Sequence, residues 1–432
     1  MSSEQVITSF LDTDMYKLTM HAAVFLNFPE AKVTYKYTNR SSQLSFNKAA
    51  IDWLHEQIQL LGNLRFTKEE IAYLEKEIPY FPKAYIEFIS NSDFKLKPKE
   101  QIEFKTEPFE HNGETRYNID LFISGLWTDT ILYEIPLLAL VSEAYFKFVD
   151  TDWEYEGQIE KAKKKALTLM ENGLKFSEFG TRRRRSYHTQ DLVLKGIMEA
   201  VAENKSKYQD IVLGTSNVLF AKQYNIKPIG TVAHEWIMGI ASLTEDYTNA
   251  NKNAMKYWID TFGPEHAGLA LTDTFGTDDF LKSFKPPYSD YYIGVRQDSG
   301  DPTKYTEKIA HHYYDVLKLP KFSKVLCYSD SLNVEKAITY GKVAKEYGMI
   351  ATFGIGTNFT NDFQLKSNSQ IKSEPLNIVI KLLNVNGNHA IKISDNLGKN
   401  MGDPDTVKRV KEELGYVERK WTGDNEAHRW AK

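Results

Sequence analysis

Cysteine is almost missing from this chain. Cys327 is the single thiol among 432 residues, so no internal disulfide holds the fold, and a reducing compartment is expected. It falls in the apolar run KVLCYSD at 324–330, which predicts a buried structural residue. Long apolar stretches are missing as well: the longest, residues 135–141, is far short of the ~20 needed to span a bilayer. The opening MSSEQVITSFLDTD lacks the basic segment and apolar stretch of a secretory leader. Neither sign of charge dominates, since 54 Lys and Arg against 58 Asp and Glu leave −4. That speaks against a surface built as a whole for nucleic acid. A soluble intracellular protein is expected, with no membrane or nucleic-acid partner.

What the chain does have is apolar material, 42% hydrophobic and 13% aromatic, in a length that exceeds one typical domain. LDTDMYKLT at 11–19 places an aspartate cap ahead of a short helix carrying Tyr16. VTYKYTNR at 33–40 alternates like a strand and ends on Arg40. Helical patterns follow to about residue 95, and residues 101–124 read as two strands around an Asn112-Gly113 turn. A further helix starts at Thr128 or Asp129. The KAKKK run at 161–165 reads as the solvated face of a charged helix.

After that the pattern changes. Apolar runs alternate with helical segments: KFSEFG at 175, IVLGTSN at 211, PIGTVAH at 228, GLALTDT at 268, YYIGVRQD at 291, KVLCYSD at 324, ATFGIGT at 351 and NIVIKLL at 377. Helices are expected at 191–203, 244–259, 303–317 and 333–347. Eight strands alternating with helices predict an α/β fold with a parallel sheet, closed as a barrel or open and doubly wound. The expected organisation is an α+β unit from residues 1–150 plus 385–432 and an α/β barrel over 151–384. Its last stretch, from Asn384, folds back on the first unit.

In either sheet a ligand sits at the carboxyl ends of the strands. The central stretch is GVRQDSGDP at 294–302, where Arg296 offers a fork of donors, Asp298 a carboxylate, and Ser299-Gly300 a turn open to an anion. The other strand ends carry Arg182, Ser216, His234-Glu235, Asp273, Asp330 and Gly354-Gly356-Thr357. Arginines, glycines and hydroxyls around one rim suit a phosphorylated ligand. His234 there is a candidate base, metal ligand or nucleophile, and Glu235 a group to orient it or hold a cation. Phe179 and Tyr16 offer two flat faces for a planar ring. The four arginines at 182–185 fit either a helix start with Arg182 in an anion site, or a nucleic-acid patch or nuclear import signal.

The motifs SEFGTRRRRS, GTSN, GTVAHEW, GVRQDSGDP, YSDSLN and FGIGTNF, with LDTDMYK at the start, resemble those of the nicotinate phosphoribosyltransferase family, in its fungal form. The resemblance runs through nearly the whole chain in the family's order. It implies the irregular α/β barrel of type II phosphoribosyltransferases, with a smaller domain built from both chain ends. It also implies the reaction of nicotinate with phosphoribosyl pyrophosphate to give nicotinate mononucleotide and pyrophosphate, coupled to ATP hydrolysis and dependent on Mg2+.

Carried over residue by residue, His234 matches the histidine phosphorylated by ATP, with Asp273 orienting it through its other ring nitrogen. Tyr16 and Phe179 match the pair that sandwiches the pyridine ring, and Arg182 stands by its carboxylate or a phosphate. Arg296, Asp298, Ser299, Gly300, Asp330, Gly354, Gly356 and Thr357 match the region for ribose, phosphate and pyrophosphate. Asp298 and Asp330 would meet magnesium through pyrophosphate or water. Arg40 matches a phosphate contact made across a dimer interface, while Lys392 and Lys399 are weaker phosphate candidates. Ser216 aligns with an aspartate of the related nicotinamide enzyme and favours the acid as substrate. The resemblance further implies a cytoplasmic enzyme, also nuclear if the arginine run serves for import, and a homodimer. The competing readings are another barrel enzyme on a phosphorylated small molecule, such as a quinolinate-type transferase, and a nucleic-acid-binding protein using residues 182–185.

Overall fold

The computed structural model describes residues 4–417 apart from 42, 205–207, 209, 231 and 397–399. Its strands are β1 (Lys32–Asn39), β2 (Ile102–His111), β3 (Glu114–Leu126), β4 (Lys175–Glu178), β5 (Val212–Thr215), β6 (Leu269–Leu271), β7 (Gly294–Gln297), β8 (Val325–Tyr328), β9 (Ile350–Ile355), β10 (Phe363–Gln364), β11 (Lys372–Ser373), β12 (Ile378–Val385) and β13 (Asn388–His389). They form a five-stranded sheet in the order β13-β12-β1-β3-β2, a six-stranded sheet in the order β5-β4-β9-β8-β7-β6, and the small β10-β11 pair.

The five-stranded sheet is antiparallel throughout. Val33, Tyr35 and Tyr37 of β1 turn inward while Lys32, Lys36 and Thr38 face out, the period of two expected of a sheet with one wet face. The β2–β3 hairpin closes at Asn112 and Gly113, both at positive φ, as a tight hairpin turn requires. The six-stranded sheet is parallel; the helix Gln158–Glu171 leads into it, and helices such as Tyr187–Glu203, Pro302–His311 and Val334–Glu346 connect its strands. One cluster of buried apolar side chains lies around the antiparallel sheet, and a second around the parallel sheet.

Several expectations need correction. NIVIKLL is not the last parallel strand: β12 pairs antiparallel with β1, from Ile378 opposite Asn39 to Val385 opposite Val33. The chain therefore rejoins the first sheet at 378 rather than 385. A short apolar run records burial, not the sheet that supplies it. Among the described residues of PIGTVAH the sheet gains only a bridge from Pro228 to Thr215, and His234 already opens the helix His234–Thr244. The helix expected over 244–259 begins only at Ala250 and runs to Phe262; Thr244 ends the preceding helix, with Glu245 at positive φ after it. The tail does fold back, as Ile391, Ile393, Val407 and Val410 join the first cluster. The KAKKK run is more than a wet face: Lys165 bonds Asp362 at 2.6 Å with only 14% of its side chain exposed.

Candidate active site

The carboxyl ends of β4, β7, β8 and β9 face the antiparallel sheet across a cavity of about 260 Å³. From the parallel side it is lined by Phe179, Arg182, Arg296, Asp298, Ser329, Gly354, Gly356 and Thr357. Tyr16, Arg40, residues 379–382 and Lys392 line the opposite side. The helix that opens with His234 presents that residue and Glu235 to the same space. Tyr16 and Arg40 thus reach the cavity within one chain.

His234 is the best-connected group there. Its Nδ1 lies 3.0 Å from Thr274 Oγ1, and its Nε2 lies 2.9 Å from Asp298 Oδ2, 3.5 Å from Asp273 Oδ1 and 3.0 Å from Lys392 Nζ. Both carboxylates and the ammonium crowd one ring nitrogen, so Asp273 does not act through the other one; Thr274 holds that. Burial and the Lys392 charge push the histidine pKa down, against the pull of Asp273 and Asp298. The imidazole is therefore neutral at neutral pH, as a nucleophile must be. Burial raises the Asp298 carboxyl, but Arg296 and the contact with His234 outweigh it and hold the group well below the usual range. Asp273, pushed up by burial, is likewise brought below its ordinary value by Lys392 and His234.

Asp273 lies behind the cavity rather than in its wall. It accepts from Ser299 Oγ at 2.6 Å and pairs with Lys392 at 3.1 Å. Ser299 is buried and holds Asp273 and the backbone N–H of Asp395. Gly300 has φ +76° and packs on Asp395, a turn that a side chain would strain. Ser299 and Gly300 therefore shape the turn from behind. Asp330 is not in the wall, although Ser329 and Ser331 on either side of it are; its Oδ1 accepts from Ser331 at 3.1 Å. Glu235 accepts from Tyr35 at 2.6 Å and Trp127 at 2.8 Å and pairs with Lys17, so its charge is spent inside the protein. Lys392, the weaker candidate, reaches the centre. Lys399 lies outside the described residues.

Ser216 also differs from expectation. Its side chain is fully buried and donates to Asp14 Oδ1 at 2.7 Å, and Asp14 rather than Ser216 lines the cavity. Asp14 stands at the N-cap of the helix Met15–Asn27 without making the side-chain cap bond the motif suggests. Burial raises its pKa, opposed by Ser216 and by the Arg182 charge. Cys327 is only partly buried and faces the cavity.

The arginine run is built into the fold. Arg184 forks onto Asp12 at 2.8 and 2.7 Å. Arg185 lies 3.7 Å from the Phe146 ring centre and bonds Asn361 and Ser373. Arg183 reaches the Ile378 carbonyl. Only Arg182 has a substantially exposed side chain, at 43%, and it opens to the cavity. With Arg183, Arg184 and Arg185 buried, the folded chain does not present this run as a basic patch, and the nucleic-acid reading of residues 182–185 is not favoured.

His234, Asp273 and Asp298 offer three ligand atoms within 4.8 Å of one another, but Lys392 is in hydrogen-bonding reach of two of them. Magnesium prefers oxygen and keeps its water. Of the two carboxylates only Asp298 stands in the cavity wall, so the group does not form a closed protein cage for such an ion.

Sequence reasoning missed Asp14, Glu134 and Lys17. Asp14 and Lys17 lie within the quoted LDTDMYK motif; Glu134 carries no local signal, being the first residue of a mostly apolar helix that also holds Glu143 and Lys147.

Comparison with known proteins agrees with this geometry. A family model described as the nicotinate phosphoribosyltransferase (NAPRTase) family matches residues 174–418, and one for its N-terminal domain matches 11–142. The nicotinate phosphoribosyltransferase of Saccharomyces cerevisiae is 73% identical over 99% of this chain and 100% of its own. A probable nicotinate phosphoribosyltransferase of Schizosaccharomyces pombe is 48% identical over 95% and 98%. The crystal structure of a putative nicotinate phosphoribosyltransferase from S. cerevisiae superposes with a TM-score of 0.95 at 72% identity, covering 96% of this chain and 100% of that one. One from Porphyromonas gingivalis superposes with a TM-score of 0.83 at 31% identity, covering 95% and 100%. On this agreement of motifs, fold and relatives, the chain belongs to the nicotinate phosphoribosyltransferase family.

Proposed function

We propose that this protein is an ATP-coupled nicotinate phosphoribosyltransferase, converting nicotinate and phosphoribosyl pyrophosphate into nicotinate mononucleotide and pyrophosphate for NAD synthesis. The observation that carries this is the meeting in one cavity of a ring-binding end, Tyr16, Phe179 and Arg182, with the charged cluster of His234, Asp298, Arg296 and Lys392.

The aromatic faces hold the pyridine ring with its nitrogen toward the anomeric carbon, and Arg182 pairs with the ring carboxylate. The N–C bond forms as the C–O bond to pyrophosphate breaks, building positive charge on the sugar and negative charge on the leaving group. Arg296, Arg40 and Lys392 are cations already in place for the latter. Bound magnesium would neutralise pyrophosphate charge, held at the protein by Asp298. Neutral His234 takes the terminal phosphoryl group of ATP: the N–P bond forms, the bond to ADP breaks, and water later releases phosphate. Phosphohistidine brings negative charge beside Lys392 and against Asp298, which biases the site between states of different substrate affinity.

The six parallel strands, extended by the Thr215–Pro228 bridge, are read as the irregular barrel of the type II enzymes, with the antiparallel sheet as the smaller domain. Tyr16 and Arg40 line the cavity of their own chain, which supports a phosphate contact by Arg40 within one subunit; the homodimer is carried by the resemblance. The assigned compartment is the cytoplasm; entry to the nucleus would need a signal other than residues 182–185.

The test is product formation from labelled nicotinate or nicotinamide with phosphoribosyl pyrophosphate and magnesium, with and without ATP, for the wild type and His234→Ala. Selective formation of nicotinate mononucleotide, accelerated by ATP only when His234 is present, is expected. Absence of product from either ring sinks the assignment.

A further inference from the structure

Lys17 follows Tyr16 in sequence, and its side chain has no exposed surface. Its Nζ lies 2.5 Å from Glu134 Oε2 and also bonds Glu235. The two carboxylates lead to opposite parts of the site. Glu134 lines the cavity, and its other oxygen faces Arg182 Nη1 at 3.9 Å. Glu235 follows His234, and its second oxygen is held by Tyr35 and Trp127. The helix His234–Thr244 also lies tight on Trp127, where a Cβ at Gly239 would come within 2.2 Å of the indole. Movement of Glu235 is thereby tied to movement of the helix start.

Counting charges shows what Lys17 does. Two cations, Lys17 and Arg182, stand with the carboxylates Glu134 and Glu235, and the buried Asp14 adds a further negative charge near Arg182. Burial alone would lower the Lys17 pKa, but the two carboxylates outweigh it and keep the ammonium charged. Without that charge Glu134 has Arg182 as its remaining cation, and the pair would close because an unpaired buried carboxylate is costly. Arg182 would then be drawn off the substrate.

We propose that Lys17 is a positioning residue that couples the nicotinate end of the cavity to the His234 helix. By occupying Glu134 it leaves Arg182 to the ring carboxylate, and by occupying Glu235 it fixes where His234 stands. This rests on the function proposed above, and the wild-type assay separates the two: a wild type that makes no nicotinate mononucleotide ends that reading before any variant is compared.

The test uses Lys17→Met, similar in length and uncharged, and the double variant with Glu134→Gln. Measured quantities are KM for nicotinate, kcat, ATP hydrolysed per product formed, and the thermal midpoint. Lys17→Met is expected to raise KM for nicotinate about tenfold, within the usual range of coupling between sites, and to raise the ATP spent per product. Adding Glu134→Gln should recover part of the KM, because a neutral amide no longer competes for Arg182. A structural role alone would lower kcat and the midpoint together, without moving the ATP ratio or being relieved by the second change. The proposal fails if folded Lys17→Met keeps both KM and the ATP ratio within about twofold of wild type, or if the double variant recovers nothing. Should Lys17→Met not fold, Glu235→Gln carries the decision: a raised ATP ratio supports the coupling, and an unchanged one overturns it.

Discussion

Lys392 Nζ stands 3.0 Å from His234 Nε2, on the side of the ring that also faces Asp298 and Asp273. The ammonium is thus a local cause of the low histidine pKa, second to burial. In Lys392→Met the two carboxylates act without that opposition, and protonation of His234 sets in at higher pH. Because only the neutral ring accepts a phosphoryl group, the acid limb of the ATP-dependent rate is expected to move to higher pH. A pH–rate profile for both proteins checks this, and an unmoved limb removes Lys392 as the cause.

Choice of acid over amide is expected to lie with Arg182 rather than Ser216. The Ser216 hydroxyl is committed to Asp14, whereas Arg182 opens to the cavity. Arg182→Met should lower kcat/KM for nicotinate by roughly 10- to 100-fold, the loss expected for one charge-assisted contact, and narrow the gap to nicotinamide. Ser216→Ala should change the acid-to-amide ratio by less than about threefold. A large change of ratio in Ser216→Ala would restore the serine as the discriminating group.

Arg184 is fully buried in a two-bond pair with Asp12. Arg184→Met leaves that carboxylate buried without its partner and is expected to cost about 3–5 kcal/mol of stability. Urea unfolding measures it. A cost below about 1 kcal/mol, typical of exposed pairs, would mean that Asn217, which also donates to Asp12 at 2.7 Å, suffices to hold the carboxylate.

Much of the architecture was legible because it is written in local pattern. The Asn112-Gly113 turn needs left-handed backbone and announces a hairpin; the alternation at 33–40 announces a strand with one buried face. Phe179, Arg182, Arg296, Asp298, Gly354, Gly356 and Thr357 could be read because parallel strands deliver their carboxyl ends to one side, and all of them line the cavity; Tyr16, Arg40 and Lys392 line it from the other side, where strand direction gives no signal. The reading weakened where a residue's use depends on what faces it. Ser216 and Glu235 have the chemistry of site residues, yet Asp14 and the Lys17, Tyr35 and Trp127 group claim them. Four arginines in a row look like a basic patch until Asp12, Asn361 and Phe146 are found beside them.

By itself the sequence determined the alternation of strands and helices, the absence of disulfides, and the chemical inventory of the rim, because each follows from residue type and spacing. Tertiary structure decided that residues 378–385 join the antiparallel sheet, that Asp14 rather than Ser216 meets the cavity, and that both carboxylates crowd one nitrogen of His234. The physical reason is that burial, pairing and pKa arise from neighbours distant in sequence. His234 and Lys392 are separated by 158 positions, and only the folded chain puts them within a hydrogen bond.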